Sequence, residues 1–187
     1  MREVQLSGMK MMTGQTIAHL VLAGLLLILG TQANATDLSF FDEIPAGNSA
    51  DIAQDGADLN ASITQQGKNT GTLQQEGLSH TASLQQKGYA NQADIIQHGT
   101  AQQADITQLG WENLAVVSQY GTGNNASLFQ KGSHNTISLD QNGDYNRATI
   151  AQYGVGNNAD VAQYGNANAV SVTQIGAGLH VSIQQWD

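Results

Sequence analysis

The sequence predicts an all-β protein, a two-sheet β-solenoid of about thirteen strand-turn units of 11 residues each. Three observations predict it. A glutamine recurs every 11 residues, with one spacing of 10, from residue 54 to residue 185. Apolar and polar residues alternate with period 2 before each of these glutamines, as they do in a half-buried strand. A glycine follows two positions after twelve of the thirteen glutamines, where a corner is expected.

The repeating glutamines are the first set of candidate functional residues. Two positions before each of them stands Ile, Leu or Val, and three positions before stands Ser, Thr or Asp in twelve units. This alternation predicts that the aliphatic residue and the glutamine both point inward from a short strand. The glutamines are Gln54, Gln65, Gln75, Gln86, Gln97, Gln108, Gln119, Gln130, Gln141, Gln152, Gln163, Gln174 and Gln185.

An asparagine six positions before the glutamine forms the second set, in nine units. Glycine and asparagine tolerate the left-handed backbone, so both are predicted to shape the corners. Side-chain amides stacked at one position can form a ladder parallel to the backbone bonds, and a buried amide without a partner costs about 1–3 kcal/mol. We therefore expect ladders of the glutamines and of Asn48, Asn69, Asn91, Asn113, Asn124, Asn135, Asn146, Asn157 and Asn168.

One residue is missing from the repeat between Gly67 and Asn69. A deletion within a strand would turn every later side chain to the opposite face. The inward positions keep their phase after this point, so the loss is predicted to fall in a corner. Two units are expected to form one turn of the solenoid, with successive turns about 4.8 Å apart.

Composition and charge exclude several classes of function. The 187 residues contain no cysteine, which excludes disulfides and thiolate metal sites. The formal net charge of −9 argues against nucleic acid as a partner. His80, His98, His134 and His180 fall at four different positions of the repeat and are predicted to be scattered surface imidazoles. We expect no cofactor, no metal and no catalytic site, and hence no enzyme.

The N-terminal residues differ from the repeats. Residues 1–35 combine a positive start, an apolar run of 13 residues and an Ala33-Asn34-Ala35 cleavage pattern, which predicts a secretory signal peptide. A buried or membrane-anchoring helix is the alternative. Residues 36–47 have no repeat signature and are either a disordered leader or a sorting segment. The repeats occupy residues 48–187.

The last unit ends at Trp186-Asp187 without a stretch that resembles a cap. A solenoid that stays soluble needs capped ends, whereas an open, repetitive edge strand is a template for another chain. Growth into an amyloid fibre is therefore predicted.

The position after the glutamine carries one of two kinds of side chain. In some units it is aromatic, and these residues are either an adhesive stripe or corner fillers: Tyr120, Tyr153, Tyr164 and Trp186. In others it is charged, and these residues are expected to slow premature aggregation as gatekeepers: Asp55, Glu76, Lys87 and Lys131.

The segment from Gln119 to Gln130 resembles the curlin repeat, Gln-x-Gly-x-Gly-Asn-x-Ala-x-x-x-Gln. The segment from Gln152 to Gln163 matches it again, with Gly154, Gly156, Asn157 and Ala159 in place. The resemblance implies a structural subunit or surface nucleator of curli, the extracellular amyloid fibres, or fimbriae, of Gram-negative bacteria in biofilm and adhesion.

The same resemblance implies export by a Sec signal and passage through an outer-membrane curli secretion channel with its accessory factors. Self-association, together with the other curlin subunit, then follows at the cell surface. It favours a sorting role for residues 36–47, whose apolar and acidic make-up is more similar to the minor, nucleating subunit than to the major one. The alternative function is a monomeric secreted β-solenoid that binds a carbohydrate or acts as a surface adhesin.

Overall fold

The computed structural model describes the backbone of residues 32–35 and all of residues 47–187. The regular elements of these residues are strands, and none of them forms a helix that could cross a membrane. The strands are β1 (Gln32–Ala35), β2 (Ser49–Ala57), β3 (Asn60–Leu78), β4 (Thr81–Thr100), β5 (Gln103–Trp111), β6 (Leu114–Thr122), β7 (Asn125–Ser133), β8 (Thr136–Asp144), β9 (Arg147–Val155), β10 (Asn158–Tyr164), β11 (Ala169–Ala177) and β12 (His180–Trp186).

Strands two repeats apart pair in parallel. Each residue lies beside the one 22 positions later, so that Gln97 pairs with Gln119 and Gln119 with Gln141. At about 22 residues a turn, residues 47–187 make a parallel β-solenoid of about six turns. Near the start, Gln54 pairs with Gln75, 21 positions later. The register shift lies between Lys68 and Thr70, which confirms that the missing residue falls outside the inward-facing stretch.

The paired strands form two rows. The first row contains β2, residues 70–78 of β3, residues 92–100 of β4, β6, β8, β10 and β12. The second row contains residues 60–68 of β3, residues 81–89 of β4, β5, β7, β9 and β11. Because β3 and β4 run through a corner and belong to both rows, the twelve strands are connected in one continuous sheet that folds into these two rows.

The core lies between the two rows. In most units the aliphatic residue and the residue two positions before it are buried, as the period-2 pattern predicts; Ile95, Val117 and Ile150 are completely inaccessible to solvent. Ile63, in the first turn, is only partly buried. Burial weakens towards the last turn, where Val170, Val181 and Ile183 are only partly buried. Among the described residues no further turn covers them.

The corner glycines have a positive φ, as predicted, whereas no corner asparagine among the described residues does. The glycine two positions after twelve of the glutamines has a φ of +105° to +143°, for example +126° at Gly110. A second residue with a positive φ comes two positions after the glycine in most corners and is often not glycine, as at Ala101 (φ 54°) and Glu112 (φ 52°). Glycine is required at the first position for a second reason as well, because a Cβ on Gly110 would overlap the carbonyl oxygen of Gly132 in the next turn.

The short strand β1 pairs antiparallel with β2, with Ala35 beside Ala50. It consists of the last four residues of the predicted signal peptide. The remainder of that segment and nearly all of the predicted leader, residues 36–47, lie outside the described residues.

Candidate functional site

The inward glutamines form two unbroken columns through the core. In each column the side-chain Nε2 donates to Oε1 of the glutamine one turn later, over 2.7–3.0 Å. The first column contains Gln54, Gln75, Gln97, Gln119, Gln141, Gln163 and Gln185, and the second contains Gln65, Gln86, Gln108, Gln130, Gln152 and Gln174. All thirteen glutamines singled out from the sequence are therefore placed in one of two ladders.

The second amide proton of these glutamines joins the two rows. Gln119 in the first row donates to the backbone carbonyl of Gln103 in the second row, at 2.9 Å. Gln130 in the second row donates to the carbonyl of Leu114 in the first, also at 2.9 Å. Within the stack each glutamine thus uses both amide protons and its oxygen, which satisfies a group that would otherwise be costly to bury. Sequence reasoning missed this cross-row bond, because it depends on which carbonyl lies opposite.

The glutamine columns have a direction. Nε2 points to the following turn in every ladder bond, and Oε1 accepts from the preceding turn. At the N-terminal edge, Oε1 of Gln54 and Gln65 therefore has no ladder donor among the described residues. At the C-terminal edge, Nε2 of Gln174 and Gln185 donates only to the cross-row carbonyls of Asn158 and Ala169. One edge presents acceptors and the other presents donors.

The corner asparagines also stack, mainly through side-chain to backbone bonds. Oδ1 of Asn91 accepts the backbone N–H of Asn113 at 3.2 Å, and Nδ2 of Asn113 donates to the carbonyl of Gly132 at 3.1 Å. One column contains Asn48, Asn69, Asn91, Asn113, Asn135 and Asn157, and the other contains Asn124, Asn146 and Asn168. The asparagine side chains therefore bond backbone N–H and carbonyl groups that have no strand partner where the chain turns.

The repeat that forms these columns matches a known family of repeats. The family model for the curlin associated repeat matches residues 88–121, 110–143, 132–165 and 143–176. The chain belongs to the curlin family. No curated protein matches it over its length or in part.

In this curlin chain, the second corner column begins with residues other than asparagine. His80 and Gln102 occupy the places below Asn124, and His80 is completely buried. Its Nε2 lies 3.0 Å from the carbonyl oxygen of Glu76, and its Nδ1 accepts the backbone N–H of Gln102 at 3.1 Å. The prediction that His80 is a surface imidazole is wrong, whereas His98, His134 and His180 are exposed. His80 stands six positions before a glutamine, as the corner asparagines do, and this position in the repeat could have predicted its burial.

Gln102 fits its corner less well than asparagine does. Its Nε2 donates to the carbonyls of His98 and Gly121, at 3.1 and 2.8 Å. Its Oε1 is the one buried side-chain polar atom of the described residues that has no hydrogen-bond partner. By contrast, Oδ1 of Asn124 accepts the N–H of Asn146 at 2.9 Å. The extra methylene group of glutamine carries the oxygen past the backbone N–H that it should meet.

The surroundings of His80 favour its neutral form. Burial lowers the pKa of His80, and the nearby imidazole of His98 lowers it further, against the opposing effect of the bond to the Glu76 carbonyl. Because Nδ1 accepts a backbone N–H, the neutral ring carries its proton on Nε2. Protonation of Nδ1 would turn a bond to Gln102 into a clash of two donors.

The buried imidazole predicts that this curlin solenoid loses stability in acid. Above the unfolded pKa of about 6.5 both states are neutral, and the full stability is present. As the pH falls below that value, the unfolded chain binds the proton first, so the free energy of unfolding decreases. The urea midpoint should therefore fall as the pH is lowered from about 7.5 to about 5. His80→Asn should reduce this decrease, and it places an asparagine at this position of the corner column. The exposed His180→Asn is the matched control, and an equal pH dependence in His80→Asn and the wild type would contradict the prediction.

Two further features of the described residues concern a metal site and the aromatic residues after the glutamines, which lie outside the columns. No group of three His, Asp or Glu residues among them is placed to hold a metal ion. Tyr120, Tyr164 and Trp186 lie in the first row and Tyr153 in the second, where its ring is 5.3 Å from that of Phe129. All four are exposed in part, and they do not form a single stripe.

Proposed function

We propose that this curlin-family chain is a structural subunit or surface nucleator of an extracellular curli-type amyloid fibre. The fibre grows by end-to-end stacking of solenoids, each of which continues the strand rows of the one before. The observation that carries the proposal is the one-way direction of the glutamine columns. Donors at the C-terminal edge, on Gln174 and Gln185, match acceptors at the N-terminal edge, on Gln54 and Gln65.

The strand edges support the same mode of growth. At the C-terminal edge, β11 and β12 each pair with a strand on one side only among the described residues, and several of their aliphatic residues are partly exposed. Open edges of this kind add further strands. At the other edge, β1 covers four residues of β2. Since β1 belongs to the predicted signal peptide, removal of residues 1–35 would leave that edge open as well.

The family supplies the cellular setting of the proposal. Residues 1–35 direct Sec export, and residues 36–47 guide the chain to an outer-membrane curli secretion channel and its accessory factors. Assembly with the other curlin subunit takes place at the cell surface, in biofilm and adhesion. The apolar and acidic leader favours the minor, nucleating subunit.

A monomeric secreted binding module is the second candidate. An open cavity of about 620 Å³ on the second row, which includes Lys87, Trp111 and Lys131 in its lining, is the observation that favours it. Exposed aromatic faces beside charged groups are suited to a carbohydrate ligand.

The decisive experiment is to purify residues 36–187 in denaturant and then remove the denaturant. The fibre proposal predicts thioflavin-positive filaments with a meridional reflection at about 4.7–4.8 Å. A clear solution that remains monomeric for days would contradict it and favour the binding module.

A pair of variants tests the ladder edges. Gln174→Leu combined with Gln185→Leu removes the outward donors and should slow filament elongation, whereas Gln85→Leu replaces an exposed glutamine on an outer face and should not. Equal elongation rates for both would count against growth through the amide columns.

A further inference from the structure

The two rows of strands differ in charge. The four Lys and Arg residues of residues 47–187 all lie in the second row: Lys68, Lys87, Lys131 and Arg147. The first row contains no Lys or Arg and has Asp51, Asp55, Glu76, Asp94, Asp140 and Asp160 along its strands. Asp144 lies at the end of its strand β8, and Asp58 and Asp187 follow its strands β2 and β12. Only Asp105 and Glu112 accompany the second row.

These charges lie on opposite sides of the molecule. The inward glutamines of each row bond carbonyls of the other row, so the two rows face each other across the core. Side chains that alternate with the inward residues therefore point away from the core, in opposite directions for the two rows. We refer to the outer surface of the first row as the acidic face and to that of the second row as the basic face.

The cations of the basic face form no ion pair with a carboxylate of residues 47–187. Both ion pairs found in residues 47–187 join a histidine to a glutamate, His98 to Glu76 and His134 to Glu112. The ammonium group of Lys68 lies 5.6 Å from the ring centroid of Tyr89. Lys87 and Lys131 border the open cavity, beside the exposed indole of Trp111. The basic face is thus available to carboxylates from another molecule.

The charges on the two faces also have the same spacing. Lys87 and Lys131 are separated by one intervening strand, at Leu109. Asp51 and Asp94 on the acidic face are likewise separated by one strand, at Thr72. Two interstrand steps are about 9.5 Å in both cases. Two copies side by side, with their strand stacks parallel, can therefore bring both lysines opposite both aspartates.

We propose that the basic face of one solenoid docks laterally on the acidic face of a second copy of this chain. The contact goes beyond end-to-end growth, because it joins solenoids or fibres side by side. Two different surfaces meet, so a docked pair keeps one free acidic face and one free basic face, and the contact can repeat into layers. It is electrostatic between exposed groups and is therefore weakened by salt.

Charge reversal on each face tests the proposal in the purified protein. The basic-face variant is Lys87→Glu with Lys131→Glu, and the acidic-face variant is Asp51→Lys with Asp94→Lys. Electron microscopy gives the width of the bundles and sedimentation gives the laterally associated fraction, at about 0.01 M and about 1 M salt. Thioflavin binding and circular dichroism of the same samples report separately on fibre growth and on folding.

The wild type should associate laterally at low salt and separate at high salt. Each variant alone should reduce the associated fraction at low salt by about tenfold, and an equal mixture of the two should restore it, because reversed charges then meet again. Neutral variants, Lys87→Gln with Lys131→Gln and Asp51→Asn with Asp94→Asn, provide the same comparison if a reversal disturbs folding.

Lateral association that persists at about 1 M salt or in both variants would overturn the proposal. So would a mixture that fails to restore it, and binding of an acidic polysaccharide by the basic face would then be the explanation to pursue. Loss of thioflavin binding in every sample would refute the proposed fibre function, while sedimentation of the soluble solenoids would still decide the lateral contact.

Discussion

Replacement of Gly110 by alanine is expected to lower the free energy of unfolding by more than about 4 kcal/mol, the range reached only by severe core defects. Gly110 has a φ of +126°, which L-residues rarely adopt. A Cβ at this position would overlap the carbonyl oxygen of Gly132 in the next turn. Neither the φ of Gly110 nor the distance between the two turns can change by itself, because the same backbone forms the hydrogen-bond ladder between β5 and β7.

Gly156→Ala is the matched control for this effect. Gly156 also has a positive φ, +64°, but a Cβ there would meet no atom within 4 Å. Alanine already occupies the equivalent corner position at Ala101, with a φ of 54°. The control should therefore lose only about 1–2 kcal/mol. Urea unfolding followed by circular dichroism gives both values, and equal losses would show that the approach of successive turns is not what requires glycine.

Replacement of Gln119 by leucine is expected to have the second largest effect, a loss of about 3 kcal/mol or more. The change removes the acceptor for Gln97 Nε2 and the donor to Gln141 Oε1 and to the carbonyl of Gln103. Two buried amide groups and one partly buried carbonyl then lose a partner, at about 1–3 kcal/mol for each buried group, and burial of the leucine side chain offsets only a part of this.

The control for Gln119→Leu is Gln85→Leu. Gln85 is exposed and precedes a ladder glutamine, so its replacement adds the same apolar group without breaking a column. Urea midpoints of both variants should differ strongly, with the control close to the wild type. In addition, hydrogen exchange should speed up most in β4, β5, β6 and β8, whose amides flank the broken bonds. A uniform change along the chain, or a small effect of Gln119→Leu, would contradict the role given to the column.

Much of the solenoid could be predicted from the glutamine period and the alternation around it. Period 2 determines which side chains point inward, so the buried state of residues such as Ile95 and Gln97 follows from the sequence. The place of the missing residue follows too, because only a corner tolerates it. Other features did not follow. The sequence predicts a surface position for His80, which is buried, and a left-handed backbone at the corner asparagines, which occurs instead at the residue before most of them. Neither feature follows from residue type alone.

The sequence by itself determined the repeat, the inward residues and the ladder candidates, because these depend on spacing along a single strand. Tertiary structure alone decided which strands are neighbours. Pairing at 22 residues sorts alternate repeats into different rows, and this sorting places Lys87 above Leu109 rather than near Glu76. The cross-row bonds of the glutamines, the burial of His80 and the separation of acidic and basic faces all follow from it, because each is a relation between residues that lie one turn or one row apart.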